Sequence, residues 1–385
     1  MPTIVYLVHG IGSGTADGQP AAEHWSAAPV EAITWIAKTC GISKPVVLDP
    51  IPAKPPVGSD DPSAIWIVPV SYYSVFDDFR KTAPDRRSAM KKLGVAGLLD
   101  EQIDQLAGTD FFWVKCLDVL LWWADQAQAR PNATALILSA LTRADQLAHD
   151  VPGANVRRIL VSHSLGNAAT TYALRHLGSQ SDWGAIGAFD LWLSLANVAP
   201  FLIEPDGVYA PPLLPGQSGT MVNLMHTVHH EADPVPWLLP WRAWHPDNAA
   251  KMWKQSWQAQ RTAGRVRIIE TKGVKAPANR KPEITDVHGF ANYLMAPEVA
   301  IRLAAAMRGG AFTDAEKEAF NLSGAWDQLP TLACEQTVDA LDQLKKAKDV
   351  FAMEPTPIDE SLLGAGWFKR LLRAADMLLA ASHKC

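Results

Sequence analysis

Cysteine is scarce in this chain, and charged side chains are fewer than usual. The cysteines Cys40, Cys116, Cys334 and Cys385 lie far apart and form no CxxC pair, so neither a zinc cage nor a disulfide framework is predicted. Charged residues make up 19% of the 385 residues, against about 25% in an average soluble domain. With 35 basic and 40 acidic side chains, the formal net charge is −5, which argues against a nucleic-acid partner.

Long apolar segments that would direct a chain to a membrane are also missing. The chain passes from Met1 almost directly into a short apolar stretch, without the basic n-region or long apolar core of a secretion signal. The most apolar stretch elsewhere, Phe111–Ala124, contains two charged residues and is too short to span a bilayer. We therefore expect a cytoplasmic protein, with export that needs no cleaved signal as the alternative.

Short apolar runs are what the sequence does contain, and they alternate with helical patterns such as Pro20–Thr39 and Leu165–Leu177. Runs of this kind are typical of buried parallel strands. The predicted strands are Thr3–Val8, Ala64–Val70, Val156–Val161, Phe189–Ala196, Thr220–Val228 and Arg265–Glu270. The alternation predicts an α/β fold with a mostly parallel sheet of about six strands and helices on both faces.

Two regions depart from this alternation. Residues 72–154 separate the second and third strands and resemble two or three helices, including Asp110–Ala129 and Ala133–Ala148, so we predict a helical cap or lid there. Residues 310–385 follow the last predicted helix and are predicted to form a C-terminal helical extension, either packed on the core or used for interactions. The remaining chain, within residues 1–309, is predicted to be the catalytic domain.

The strongest local motif is a serine between a predicted strand and a predicted helix, within Arg157–Ala169. A small-x-Ser-x-Gly pattern places a serine on a sharp strand-to-helix turn, where the residues two before and two after it must be small. Ser164 fits this pattern and is the candidate nucleophile, near a helix N-terminus that favours a developing anion. Ser162 is a poor alternative, because the residue two after it is Ser164 and not glycine.

A glycine-rich loop follows the first predicted strand, in the segment Val8–Gly14. Such a loop lets backbone N–H groups turn toward a nucleophile and stabilise an oxyanion. The predicted pair of donors is the N–H of Ile11 and the N–H of Leu165, the residue after the nucleophile. A nucleotide-binding loop is the alternative, but the glycines lack the GxGxxG order.

A serine nucleophile needs a base, and the base needs a carboxylate to orient it. Asp233 lies just past the predicted strand Thr220–Val228 and is followed by proline, as expected for the acid. His288 lies between the last strand and the last helix, so the chain order is serine, acid, histidine. Two other carboxylates stay open as the acid: Glu231 and Asp206.

The remaining histidines have other interpretations. His9 is predicted to hold the oxyanion loop, and His163 to line the cleft. A metal site stays an alternative for the cluster of His226, His229, His230, His245 and Asp247. Its spacing is not that of HExxH, and on a strand His229 would face away from His226 and His230. The metal site is therefore the weaker interpretation of this cluster.

Taken together, these motifs resemble the α/β-hydrolase superfamily, and within it lipases and esterases. The resemblance extends over about Pro2–Arg308, without the helical insertion, and Ser162 stands where many members have glycine. The segments that carry it are His9–Gly12, Ser162–Gly166, Asp233–Pro236 and His288–Tyr293. The resemblance implies acyl transfer in two steps, with Ser164 as nucleophile, His288 as base and Asp233 as the orienting acid. It also implies that no metal or organic cofactor is required.

Tryptophan points to the substrate class. Eight of the 15 tryptophans fall in two segments predicted to border the cleft, which suggests an apolar acyl pocket or a surface in transient contact with a membrane. These eight are Trp113, Trp122, Trp123, Trp237, Trp241, Trp244, Trp253 and Trp257. A small-molecule or lipid ester is the predicted substrate, and core packing is the alternative role of the rings. A phospholipase, thioesterase or amidase, or a binding module without activity, are the alternative functions.

Overall fold

The chain is described from a computed structural model. The described residues are 2–10, 25–56, 61, 63–76, 122, 129–151, 155–178, 186–199, 212–230, 233, 251–271, 275–277, 288–311 and 326–328. Two sheets are found among them, one of seven strands and one of two.

Seven parallel strands form the large sheet, in the spatial order β2-β3-β1-β4-β5-β6-β7. Their bounds are β1 Thr3–Val8, β2 Val46–Val47, β3 Ile65–Val70, β4 Arg157–His163, β5 Leu191–Leu195, β6 Met225–His230 and β7 Val266–Thr271. The small sheet pairs β8 (Lys275–Pro277) with β9 (Trp326–Gln328) in antiparallel orientation. Because the strands of the large sheet are parallel, their carboxyl ends meet at one edge, where loops can assemble a site.

Helices cover both faces of the large sheet, as expected for parallel strands that are apolar on both sides. Their bounds are α1 Ala27–Thr39, α2 Ala129–His149, α3 Leu165–Gly178, α4 Lys251–Thr262, α5 Phe290–Met295 and α6 Pro297–Arg308. Alternate residues of β1 belong to two separate cores: Tyr6 packs with α2 and α3, and Val5 packs with α1, α5 and α6. The chain therefore has the predicted α/β architecture.

All six predicted strands are present in the sheet: β1 has the predicted bounds, and the other five are shifted by one to five residues at an end. The seventh, β2, is an exposed edge strand of only two residues, shorter than the run of about four to eight residues that predicts a strand. The strand predicted to start at Thr220 begins only at Met225 and continues to His230. The reason is that Thr220 lies in a turn, whereas β7 pairs with β6 as far as His230 and holds that end in the ladder.

Only part of the two predicted extra regions falls on described residues. Within residues 72–154, helix α2 spans the predicted helix Ala133–Ala148 and packs against α3 and β3 in the core layer. Residues 77–121 and 123–128 lie outside the described residues, so the cap stays a prediction. Of residues 310–385, the structure describes only 310–311 and β9, and the predicted helical extension is not tested. Within the described part of the chain, no helix combines the length and apolarity needed to cross a membrane.

Candidate active site

The predicted nucleophile lies at a strained turn between β4 and α3. Ser164 has a φ of +52°, in the left-handed region that residues other than glycine, asparagine and aspartate rarely adopt. A strained backbone of this kind persists only where its surroundings hold it, and it is concentrated at functional sites. Strand β4 ends at His163 and helix α3 begins at Leu165, so Ser164 is the single residue of the turn.

Two glycines let the turn approach the end of β1. A β-carbon on Gly166 would overlap the backbone carbonyl of His9, and a β-carbon on Gly10 would overlap the side chain of Ser164. The position two after the serine must therefore be glycine for a steric reason, as the small-x-Ser-x-Gly pattern predicts. Gly10 fills the same role from the loop after β1.

Ser164, His288 and Asp233 form a continuous chain of hydrogen bonds. The Ser164 hydroxyl lies 3.1 Å from His288 Nε2, and His288 Nδ1 lies 2.8 Å from Asp233 Oδ2. Because the carboxylate can only accept, Nδ1 carries the proton, and Nε2 is left to accept the proton of the serine. The imidazole is thus held in the tautomer that a general base for Ser164 requires.

Asp233 is fully buried and receives a second hydrogen bond, from Tyr293. The phenol oxygen of Tyr293 lies 2.6 Å from Asp233 Oδ2 and accepts the backbone N–H of His230 at 2.9 Å. Burial, and next the charge of Asp233, raise the pKa of Tyr293 well above its usual value, so the phenol stays protonated and donates to the acid. Two donors therefore compensate the buried oxygen of the acid.

His163 connects the Ser164 turn to the loop that carries His288. Its Nε2 donates to the backbone carbonyl of His288 at 2.7 Å. Its ring is stacked on that of Phe290, with centroids 5.0 Å apart and an angle of 11° between the planes. The prediction placed His163 along the cleft, but the residue is only 6% exposed and its described contacts hold the His288 loop.

Of the two predicted oxyanion donors, the structure describes one. Leu165 is the first residue of α3, and N–H groups in the first turn of a helix have no partner within the helix. Ile11 lies outside the described residues. His9, before that loop, is stacked on Tyr72 with centroids 4.5 Å apart, and its carbonyl accepts the Tyr72 hydroxyl at 2.9 Å.

His9 is neutral at ordinary pH because burial lowers its pKa to about 4. Its Nδ1 donates to the Gly10 carbonyl at 2.6 Å. The predicted role of His9, holding the loop that starts at Gly10, is compatible with these contacts.

The structure describes only some of the residues in the alternative metal-site and acid assignments. Among the residues that are described, no three His, Cys, Asp or Glu side chains converge as a metal site would require. His229 instead faces Glu270, with His229 Nε2 3.4 Å from the carboxylate. Outside the described residues lie His245 and Asp247 of the metal hypothesis and the rival acids Glu231 and Asp206.

The structure describes the side chains of two of the eight tryptophans predicted to border the cleft. Trp122 and Trp257 are buried in the core beneath the sheet, which agrees with the core-packing alternative for these two. The other six side chains of that group are not described. Sequence reasoning missed Trp25, whose ring lies 4.8 Å from that of His9 and 6.5 Å from that of Phe290. A half-buried tryptophan therefore stands beside the candidate site at an unpredicted position.

Comparisons with known proteins add little to this geometry. A scan against family models and a search of curated proteins find no match. A solved structure described as an uncharacterized protein from Pseudomonas aeruginosa aligns with 99% of this chain at 11% identity, with a TM-score of 0.30. The aligned part is 63% of that longer chain. At this level of similarity, the alignment supports no argument about function.

Proposed function

We propose that this protein is a serine hydrolase of carboxylic esters with an α/β-hydrolase fold. The observation that carries the proposal is the hydrogen-bonded chain from Asp233 through His288 to Ser164, ending on a strained elbow residue. The order of the three residues along the chain and the strand–turn–helix context of the serine are those of the α/β-hydrolase pattern. The parallel sheet with helices on both faces is compatible with that fold.

The geometry supports acyl transfer in two steps. In the first, Ser164 Oγ attacks the ester carbonyl while His288 Nε2 takes the hydroxyl proton, and an oxyanion forms. The tetrahedral intermediate collapses, the bond to the alcohol oxygen breaks, and His288 returns the proton to the leaving alcohol. In the second step water attacks the acyl-enzyme with His288 again as base, which releases the acid and regenerates Ser164. Asp233 stabilises the imidazolium that forms in each step.

The N–H of Leu165 and that of Ile11 are the proposed donors to the oxyanion. Loss of one such donor typically lowers kcat about 10²- to 10³-fold. The reaction needs no metal or organic cofactor, because the serine, the histidine and the carboxylate carry out every proton transfer.

An apolar acyl group is the proposed substrate feature, supported by Trp25 beside the site and by the six tryptophans of the two tryptophan-rich segments other than the core residues Trp122 and Trp257. Medium or long acyl p-nitrophenyl esters should therefore be hydrolysed faster than the acetate. The helical cap, the C-terminal extension and transient contact with a lipid surface belong to this proposal as well.

Labelling with a fluorophosphonate probe tests the nucleophile directly. We expect the purified chain to label once, Ser164→Ala to abolish labelling, and Ser63→Ala to leave it unchanged, since Ser63 is an exposed serine on another loop. A folded wild type that does not label would contradict the proposal and favour a binding module without activity.

A panel of carboxylic esters, phospholipids, thioesters and amides, each assayed beside Ser164→Ala, then identifies the substrate class. The proposal predicts that the carboxylic esters give the highest kcat/KM. Faster turnover of a phospholipid, a thioester or an amide would replace the ester by that class, and a strict preference for acetate would remove the apolar acyl pocket.

A further inference from the structure

A group of buried polar side chains lies beneath Ser164 and takes no part in the steps above. We call Ser162, Asn167, Trp192 and Ser194 the elbow network. Each is at most 1% exposed. Polar groups in such a position are costly unless every donor and acceptor finds a partner, so their arrangement calls for a physical reason.

The hydrogen bonds of Asn167 have only one consistent direction. Its Nδ2 lies 2.7 Å from the Leu195 carbonyl and 3.1 Å from the Ser164 carbonyl, and carbonyl oxygens only accept. Its Oδ1 lies 2.6 Å from the Ser162 hydroxyl and 2.7 Å from the Ser194 hydroxyl. Both amide protons and both oxygen lone pairs are therefore used.

Trp192 fixes the remaining hydroxyl direction. Its indole N–H, which can only donate, lies 2.7 Å from Ser162 Oγ. Ser162 must then donate its own proton to Asn167. The lipase-like pattern usually has glycine at the position of Ser162. Its hydroxyl here connects the Trp192 indole of β5 to the Asn167 side-chain amide of α3.

The elbow network holds both peptide groups that flank the nucleophile. The Ser164 N–H donates to the Leu195 carbonyl at 3.0 Å, and that same carbonyl accepts from the Asn167 side chain. The Ser164 carbonyl accepts from the side-chain amide and from the backbone N–H of Asn167, the latter at 3.0 Å. The strained φ of +52° at Ser164 is therefore supported from both sides.

The peptide between Ser164 and Leu165 links this support to catalysis. A trans peptide is planar, so its N–H points opposite to its carbonyl. Asn167 binds the Ser164 carbonyl from within the core, which turns the Leu165 N–H away from the network. We propose that Asn167 is a positioning residue, which orients the Leu165 N–H as an oxyanion donor. This inference rests on the proposed function, since it assigns the N–H to the transition state of Ser164.

The test compares Asn167→Ala with wild type on a p-nitrophenyl ester, with kcat expressed per serine labelled by fluorophosphonate at completion. We expect kcat to fall about 100-fold, as for loss of one oxyanion donor, with KM within about twofold because the donor acts only in the transition state. Affinity for a trifluoromethyl ketone, which binds serine as an oxyanion, should fall by a similar factor. Ser194→Ala, which removes one of the two donors to the amide oxygen, should lower kcat about fivefold.

Thr170→Val is the matched control. Thr170 lies on the same helix, is fully buried, and its hydroxyl has no hydrogen-bond partner among the described residues, so kcat should not change. Fewer labelled sites with normal kcat per site in Asn167→Ala would overturn the inference, because the residue would then only support folding. If Asn167→Ala does not fold, unchanged kcat and unchanged ketone affinity in Ser194→Ala overturn it instead. A folded wild type that neither labels nor hydrolyses an ester would remove the proposed function itself, which is a different result.

Discussion

The two halves of the candidate site are built from different kinds of contact. The nucleophile half, Ser162–Asn167, comes from one continuous stretch of chain at the junction of β4 and α3. The acid–histidine half, Asp233, His288 and Tyr293, is assembled from distant segments: His288 lies 124 residues from Ser164 and 55 from Asp233. One half therefore depends on local backbone geometry and the other on long-range hydrogen bonds.

Burial distinguishes His288 from the other members of the two halves, since Asp233 and Tyr293 are buried like the nucleophile half. Ser162, Ser164 and Asn167 are fully buried, whereas the His288 side chain is 24% exposed. His288 is tied to the rest through the Asp233 carboxylate and through its own carbonyl, which accepts from His163. Because the hydrogen bond between His288 and Asp233 joins a partly exposed side chain to the core, we expect its loss to abolish activity without unfolding the chain.

Replacement of Asp233 by asparagine, in the acid–histidine half, should lower kcat more than the other changes predicted below. In Asp233→Asn the amide cannot act as an anion beside the imidazolium, and it favours the wrong tautomer of His288. The expected loss of kcat is about 10⁴-fold, with the far-UV circular dichroism spectrum unchanged. Steady-state kinetics on a p-nitrophenyl ester would measure it.

Asp190→Asn is the control for that change. Asp190 precedes β5, at the opposite edge of the sheet from the site, and its carboxylate accepts the backbone N–H of Arg158 at 2.9 Å. We expect kcat to stay at the wild-type value. If Asp233→Asn also kept most of its activity, Glu231 and Asp206 would return as candidates for the acid.

The difference between the halves explains what could be predicted from the sequence. The strand, the small residues and the helix around Ser164 are neighbours in the chain, so their steric requirement is visible as a motif. The positions of Asp233 and His288 after strands predict their place in the site, because parallel strands bring their carboxyl ends together. The structure brings these three residues together as predicted.

The supports of the site could not be predicted, because they depend on strand register. Ser162 pairs with Ser194 across β4 and β5, and this pairing places both hydroxyls on Asn167. The signal was present as a lone serine in the apolar strand Leu191–Leu195, but a serine alone does not show which residue it faces. The contact between Tyr293 and Asp233 likewise joins residues 60 positions apart.

Acid titration would show whether the two halves unfold as one unit. Burial lowers the pKa of His9, beside the nucleophile half, from 6.5 to about 4. Burial, and then the charges of Arg302 and Arg267, lower the pKa of His226 to about 4; this residue lies on β6, the strand that leads to Asp233. Below pH 6.5 the unfolded chain binds these protons and the folded chain does not. The free energy of unfolding should therefore be greatest above pH 6.5 and fall toward pH 4.

Each of these histidines should contribute about 1.4 kcal/mol per pH unit within that window. Urea unfolding between pH 4.5 and 7.5 measures the slope of the free energy of unfolding against pH. His226→Gln should lower this slope by the contribution of one bound proton. His149→Gln is the control, because the His149 side chain is 63% exposed. If His226→Gln left the pH dependence of the free energy of unfolding unchanged, the lowered pKa of His226 would not be a source of that dependence. Separate acid transitions seen by probes in the two halves would show that they are not one cooperative unit.

The smallest effect is expected from the loss of one phenol oxygen in the acid–histidine half. Tyr293→Phe removes a donor to Asp233 and leaves the buried N–H of His230 without this acceptor. Because Asp233 Oδ2 then loses one of its described donors, we expect kcat to fall about tenfold, and the free energy of unfolding to fall by about 1–3 kcal/mol. Kinetics and urea unfolding on the same preparation measure both.

Tyr6→Phe makes the same chemical change at a hydroxyl outside the candidate site. Tyr6 lies on β1, and its buried hydroxyl has no hydrogen-bond partner among the described residues. If no residue outside the described part binds this hydroxyl, its removal should raise the free energy of unfolding by up to about 1 kcal/mol, with kcat unchanged. Equal losses of stability in both variants, with kcat unchanged in both, would mean that Tyr293 only packs. A loss of kcat confined to Tyr293→Phe would show that the long-range hydrogen bond to Asp233 supports catalysis, as the assembly of that half requires.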